Sequence, residues 1–159
     1  MISSRPVENV WDYPRPPSVE PSDENIVIEL GGMRIAWTSS SFRICETSHP
    51  PAYYLPIEAF AGDVLHALPG RTWCEWKGAA SYFDVVTPAR TVPAGAWTYR
   101  MPSPGYADII DHIAVYPGKM DRCLLDGERV RAQPGDFYGG WVTSRVRGPF
   151  KGGPGTSSW

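Results

Sequence analysis

The chain has 159 residues, which suits one globular domain, and its hydrophobic content of 42% with 20% charged residues argues against wholesale disorder. The net charge is -2 and neither half is strongly basic, so we expect no nucleic-acid partner. Seven tryptophans, 16 glycines and 17 prolines favour short strands and many turns. We therefore predict a mainly β fold: one compact domain of short antiparallel strands and hairpins, with two short helices and extended terminal arms.

The cysteines indicate the compartment. Cys45, Cys74 and Cys123 are far apart and form no C-x-x-C pair, so neither a zinc ribbon nor a thioredoxin motif is present. Such an odd, dispersed set fits a reducing environment. The first six residues lack the apolar segment of a signal peptide, and no apolar run approaches the ~20 residues of a membrane span. The expectation is a soluble, cytoplasmic protein without a membrane partner.

Residues 1–24 are predicted to form an N-terminal arm, because its prolines favour an extended polyproline II backbone. The P-x-x-P spacing of Pro14 and Pro17 could attract an SH3-type partner. We favour the alternative that Trp11 and Tyr13 pack onto the protein's own domain. A free ligand motif rarely carries large aromatic residues, whose exposure to solvent is unfavourable.

The β core, residues 25–132, begins with strands at 26–30 and 33–37 that flank a Gly31-Gly32 turn. A third strand at 42–46 alternates apolar and polar residues.

In that third strand, Ile44 and Glu46 share one face while Arg43 and Cys45 share the other. If the Ile44 face is the core, the Glu46 carboxylate needs a partner. Candidate partners are Arg34, Arg43 and Lys77.

Further along, apolar residues three and four apart predict a short helix at 57–68, and a second is predicted at about 106–111. The dipeptide Asp126-Gly127 is typical of a type I′ hairpin turn. The C-terminal arm, residues 133–159, mixes glycines with aromatic residues. It is expected to be ordered but irregular, and to wrap a neighbour or form part of a pocket rim.

The stretch 72–82 is the strongest candidate for a functional site. It reads as a strand that breaks at Gly78 and resumes, which predicts a bulge or kink that aims side chains into a pocket. Lys77 could be half of a solvated ion pair with Glu75. Alternatively, it could be a buried amine, anchored by Glu46 or Glu75, that binds an anionic group or acts as a base.

Cys74 could serve as a nucleophile with Lys77 and a histidine, but a buried structural thiol is the favoured interpretation. No cysteine or histidine pair has a diagnostic metal-ligand spacing, so no metal is predicted, and no motif identifies a cofactor. Aromatic residues are numerous enough that one or two should line a cleft and stack on a flat or cationic ligand. They are Tyr53, Tyr54, Trp76, Tyr82, Trp97 and Tyr99.

Several motifs together resemble a known family, the domain of unknown function family 427. The matching stretches are residues 11–17 (WDYPRPP), 46–51 (ETSHPP), 53–56 (YYLP), 74–78 (CEWKG) with Tyr82, 96–99 (AWTY), 114–117 (AVYP) and the run from Gln133 to Thr156. The resemblance implies a compact, mostly β domain with no established activity. It implies a pocket marked by Glu46, Tyr54, Cys74, Lys77, Gly78, Tyr82, Trp97 and Tyr99.

That family also has a nucleotidyltransferase-like name, which would imply an Asp-x-Asp metal pair. The sequence contains no D-x-D, so this activity ranks lowest. The leading hypothesis is a small-molecule pocket that could have enzymatic activity, with Lys77 and Glu46 as its polar centre and candidate catalytic residues. Arg43, Tyr54, Cys74, Gly78, Tyr82, Trp97 and Tyr99 are its predicted ligand-binding residues. The alternative is a non-catalytic assembly module, such as a homodimer formed through the aromatic arms.

Overall fold

The computed structural model describes residues 5–74, 76–135 and 137–159. This part of the chain is mainly β, with antiparallel sheets and short 3₁₀ helices, as predicted. Within it, no helix is long and apolar enough to cross a membrane. The strands are β1 (Glu8–Asn9), β2 (Ser18–Ser22), β3 (Ile26–Leu30), β4 (Met33–Thr38), β5 (Ser41–Cys45), β6 (Ala52–Pro56), β7 (Leu65–Cys74), β8 (Gly78–Val86), β9 (Thr91–Thr98), β10 (His112–Val115), β11 (Arg122–Leu125), β12 (Glu128–Arg129), β13 (Arg131–Ala132), β14 (Trp141–Val142) and β15 (Val146–Arg147). The 3₁₀ helices are Val10–Asp12, Ile57–Ala59, Pro104–Ile109 and Pro117–Lys119.

Two antiparallel sheets form the body of the domain. The larger has seven strands in the order β2-β5-β6-β10-β9-β8-β7, and the smaller has four in the order β12-β11-β3-β4. Two short pairs, the parallel β1-β15 and the antiparallel β13-β14, lie outside these sheets. Strand β2 comes from the predicted N-terminal arm and pairs with β5 as the edge of the larger sheet.

The central strands of the larger sheet, β5, β6 and β10, are largely buried on both faces. Successive side chains of a strand point to opposite faces, so neighbours on β6 enter different cores. Tyr53 and Leu55 join the core shared with the smaller sheet, whereas Tyr54 joins a second cluster with Trp97 and Tyr99. The second face is therefore the aromatic one.

Both predicted hairpin turns are confirmed. Gly31 and Gly32 connect β3 and β4 with φ angles of 62° and 77°, and Asp126 and Gly127 connect β11 and β12 with φ angles of 51° and 81°. Two consecutive positive φ angles are the requirement of a type I′ turn, whose twist matches that of the flanking strands.

The predicted helix at 57–68 is wrong beyond its first turn. Only Ile57–Ala59 is helical, and Asp63 has a φ of 65°, which a right-handed helix cannot contain. From Leu65 the chain is instead the strand β7, whose Leu65 pairs with Val85 of β8. Pairing with the open edge of β8 outweighs the helical spacing of this short apolar run. The second predicted helix is the 3₁₀ segment Pro104–Ile109.

The two terminal arms contact each other within one chain. Strand β1 runs parallel to β15, with Glu8 opposite Val146. The Trp11 ring packs edge-on against Trp159 at 5.3 Å between centroids, and its Nε1 donates to the carbonyl oxygen of Pro149 at 2.8 Å. Much of the arms' aromatic surface is thus used internally.

A buried charge network joins the N-terminal arm to the larger sheet. The guanidinium of Arg43 on β5 donates two hydrogen bonds to the Glu8 carboxylate, at 2.7 and 2.9 Å, and two to Glu20, at 3.1 and 2.8 Å. The side chain of Arg43 is only 5% exposed. The hydrogen bonds from Arg43 lower the pKa of Glu8 to about 2. A buried cation of this kind is stable only while its carboxylates are present, and the reverse also holds.

Replacing Arg43 with methionine would remove this charge and keep part of the apolar stem. We expect the free energy of unfolding to fall by about 3–5 kcal/mol, because Glu8 and Glu20 would keep their charges beside a site without its cation. Urea denaturation followed by tryptophan fluorescence measures the loss.

The matched control is Arg122→Met. Arg122 also donates two hydrogen bonds to one carboxylate, that of Glu29, but from the surface, where its side chain is 45% exposed. An exposed pair contributes at most about 1 kcal/mol. Equal losses in the two variants would contradict a structural role for burial of the Arg43 charge.

Candidate functional site

A cavity of about 530 Å³ opens on the aromatic face of the larger sheet. Strands β5 to β9 supply its floor and side walls, and the C-terminal arm closes the remaining side. Seven of the nine predicted site residues line it. They are Glu46, Tyr54, Cys74, Lys77, Tyr82, Trp97 and Tyr99.

Two predicted site residues lie elsewhere. Arg43 is on the opposite face of β5 from Ile44, where it belongs to the ion network with Glu8 and Glu20. Gly78 is outside the cavity lining; it opens β8 opposite Cys74 with a φ of 104°. Its role is therefore to permit the turn that precedes β8, since this φ favours glycine.

The stretch that holds Lys77 is a hairpin, not the predicted bulge. Strand β7 ends at Cys74, β8 begins at Gly78, and the two residues are directly paired. Trp76 and Lys77 lie in the turn, so the alternation of faces along a strand does not separate Lys77 from Cys74. All three side chains consequently line the same cavity.

Hydrogen-bonded and packed aromatic rings form the inner wall. The indole Nε1 of Trp97 donates to the Tyr54 hydroxyl at 3.0 Å, and the Tyr116 ring packs on Trp97 at 4.6 Å between centroids. The ring centroid of Tyr99 lies 6.4 Å from that of Tyr54, and burial raises the pKa of Tyr99. At the outer edge, the hydroxyls of Thr72 and Tyr82 are hydrogen-bonded at 2.6 Å. The wall thus combines a few placed hydroxyls with a large apolar surface.

Glu46 has different partners from those expected. Its Oε2 lies 3.7 Å from Nε of Arg15 and 4.0 Å from Nε2 of His49. The predicted partners were Arg34, Arg43 and Lys77; the Nζ of Lys77 lies instead over the Tyr99 ring, 5.8 Å from its centroid. Glu75, the other predicted anchor for Lys77, lies outside the described residues.

His49 lines the cavity but is not among the predicted site residues, because the sequence indicated a turn there and suggested the imidazole only as a possible base for Cys74. The Oε1 of Gln133 accepts from the backbone N–H of Gly140, and its Nε2 donates to the Lys151 carbonyl at 2.7 Å. This orientation makes Nε2 of Gln133 a donor to Nδ1 of His49 at 3.0 Å. The neutral imidazole therefore holds its proton on Nε2, toward Glu46.

The environment keeps His49 uncharged at neutral pH. Burial lowers its pKa to about 4, and the positive charges of Lys151, Lys77 and Arg15 act in the same direction. The groups that face it come from the hairpin turn, the N-terminal arm and the C-terminal arm. The imidazole is consequently a hydrogen-bonding group here and not a cation.

Two glycines let the C-terminal arm close over the cavity. A Cβ on Gly139 would lie 2.2 Å from the Trp97 ring, and a Cβ on Gly140 would lie 2.5 Å from Oε1 of Gln133. Both contacts are far inside van der Waals distance, so larger residues would lift the arm off the sheet. The arm also contributes Tyr138 and Lys151 to the lining.

The cavity holds an amine, a carboxylate, a thiol, a neutral imidazole and several phenols. This set can bind a polar group and donate or accept protons. Among residues 5–74, 76–135 and 137–159, no three histidine, cysteine, aspartate or glutamate side chains are grouped closely enough to hold a metal ion.

The family model for the domain of unknown function DUF427, which has a nucleotidyltransferase-like short name, matches residues 18–126. The chain belongs to the DUF427 family. The matched region of this DUF427 domain contains Glu46, Lys77 and Trp97, but it ends before Gln133 and Lys151. Comparison with curated protein sequences found no match.

We expect His49 to titrate with a pKa of about 4 and to carry its neutral proton on Nε2, because it is buried beside positive charges and accepts from Gln133 at Nδ1. NMR correlation spectra of the ring nitrogens across the acidic range measure both properties. In Gln133→Glu, a carboxylate would replace the amide donor beside the ring, so the pKa should rise. A native midpoint near the ordinary value of about 6.5 would contradict this description.

The same titration should make stability depend on pH. In the folded chain His49 binds its proton at about pH 4, whereas its ordinary value is 6.5. Between these values the unfolded chain binds more protons, so the free energy of unfolding falls as the pH decreases through this window. The loss is on the order of 3 kcal/mol. Urea denaturation at several pH values should show it, and His49→Asn should show a flatter dependence there.

Proposed function

We propose that this DUF427 domain binds a small molecule in the cavity, with Lys77 and Glu46 at its polar centre and Tyr54, Tyr82 and Trp97 as its walls. The observation that carries the proposal is the convergence of these side chains, from three strands and two connecting segments, on one concave space. A volume of about 530 Å³ is in the usual range of ligand sites. An apolar, aromatic lining with a few polar groups is also typical of such sites.

An enzymatic role would use the same groups. Lys77 would hold an anionic part of the substrate or act as a base, and the Glu46 carboxylate would accept a proton from the substrate and return it. Nucleotidyl transfer, suggested by the family's short name, ranks below this reading. The sequence contains no D-x-D pair, and the described residues contain no cluster of three metal-binding side chains.

Assembly through the terminal arms is the second candidate. It ranks lower because β1 already pairs with β15 and Trp11 already packs on Trp159 in the same chain. Light scattering of the full chain tests it directly, and a dimer that persists on dilution would favour it.

A thermal-shift screen of small metabolites against the full chain tests the binding proposal. A compound at a hundred times its Kd should stabilise the folded state by about 2.7 kcal/mol, which is a measurable rise in melting temperature. Ala52 lines the cavity floor, so Ala52→Phe should fill part of the space and abolish the shift.

The matched control is Ala67→Phe, at an exposed position on β7 outside the cavity lining. This variant should keep the response of the native chain. Hits that stabilise Ala52→Phe as well as they stabilise the native chain would place the binding site elsewhere, and a screen without hits would count against small-molecule binding.

A further inference from the structure

The described cavity lining has an excess of positive charge, although the chain carries a net charge of -2. Its charged groups are the ammonium groups of Lys77 and Lys151 and the carboxylate of Glu46, because His49 is neutral. The guanidinium of Arg15, 3.7 Å from the Glu46 carboxylate, offsets that negative charge. The two ammonium groups are therefore the charges that the described lining leaves uncompensated.

Both lysines rest on aromatic rings. The Nζ of Lys77 lies 5.8 Å from the Tyr99 centroid, and that of Lys151 lies 5.6 Å from the Tyr138 centroid. In the part of the chain that the structure describes, neither lysine has an ion pair with a side-chain carboxylate, and Lys151 donates at 3.3 Å to the terminal main-chain oxygen of Trp159. A cation over a ring face keeps its full charge and remains available to an anion.

His49 lies in the field of both lysines, although burial is the largest cause of its lowered pKa. The charges of Lys151 and Lys77 come from different sides, one from the C-terminal arm and one from the β7–β8 turn, and both lower its pKa. Glu46 is the carboxylate that faces it, at 4.0 Å, and does not cancel this effect. An anion that binds near His49 would consequently be attracted by both lysines.

The cavity mouth is edged by two flat, exposed rings. Trp73 is 76% exposed and Phe137 is 79% exposed, and both line the cavity. Trp73 comes from β7 and Phe137 from the C-terminal arm. Large aromatic side chains held in solvent around a concavity mark an interaction site, and their faces favour stacking with another ring.

We propose that the cavity binds a flat aromatic anion, whose negative group contacts Lys77 and Lys151 and whose ring stacks on Trp73 and Phe137. This inference rests on the proposed function, since it names the ligand class of the same site. It requires no metal or further cofactor, because the lysines supply the positive charge.

Two fluorescent probes with the same ring system test the role of charge. 1-Anilinonaphthalene-8-sulfonate is a flat aromatic anion, and N-phenyl-1-naphthylamine is its counterpart without the sulfonate. The full chain should bind the anionic probe at least about tenfold more tightly, since a hydrogen bond to a charged group contributes that much. Added salt should weaken binding of the anionic probe and leave the neutral probe unchanged.

Variants of the three lysines locate the effect. Lys77→Met and Lys151→Met should each weaken the anionic probe by roughly tenfold without affecting the neutral one. Lys119→Met is the matched control, because Lys119 also lies over a tyrosine ring, that of Tyr116, but outside the cavity lining. It should bind both probes like the native chain.

The Ala52→Phe variant distinguishes the proposal that the cavity binds small molecules from the inference that it selects anions. If it abolishes binding of both probes while the lysine variants and salt change nothing, the cavity binds small molecules but does not select anions, and the inference is overturned. If neither probe responds to Ala52→Phe, the proposed function fails as well. If salt weakens only the anionic probe and Ala52→Phe abolishes its binding, the inference holds even where a lysine variant does not fold.

Discussion

Burial of both faces of the central strands of the seven-stranded sheet is the constraint on which the rest of the structure depends. Successive side chains of a strand point in opposite directions, so adjacent residues on β6 must pack into different cores. Tyr53 and Leu55 pack against the smaller sheet, which leaves Tyr54 to join Trp97 on the second face. That second face has no sheet of its own to cover it, so a different part of the chain must do so.

The C-terminal arm provides the cover, and its short glycine pair decides how close it can come. Gly139 touches the Trp97 ring and Gly140 lies against Gln133, at distances that no side chain would allow. Gln133 then ties the arm to the sheet side by bonding His49, Lys151 and Gly140 at once. The Gln133 amide thus holds the arm against the cavity and fixes the tautomer of the His49 imidazole in the cavity wall.

Features set by local pattern could be predicted from the sequence. The turn at Asp126-Gly127, the strands around Gly31 and the clustering of Lys77 with Tyr82 and Trp97 all follow from turn chemistry, period-two alternation or recognised motifs. The errors arise where a distant segment decides. The edge of β8 converts residues 65–68 from helix to strand, and the N-terminal arm brings Arg15 to Glu46. Lys151 and Gln133 reach the cavity only because the arm folds back, which no local spacing reveals.

Arginine and lysine side chains make different kinds of contact in this fold. Arg43 and Arg122 each donate two hydrogen bonds to one carboxylate, a fit that the planar guanidinium makes possible. The three lysines all lie over tyrosine rings instead. Arg43 and Arg122 therefore form structural ion pairs, while the lysine ammonium groups lie over aromatic ring faces. Two of the three, Lys77 and Lys151, line the cavity, where no side-chain carboxylate of the described residues forms an ion pair with them.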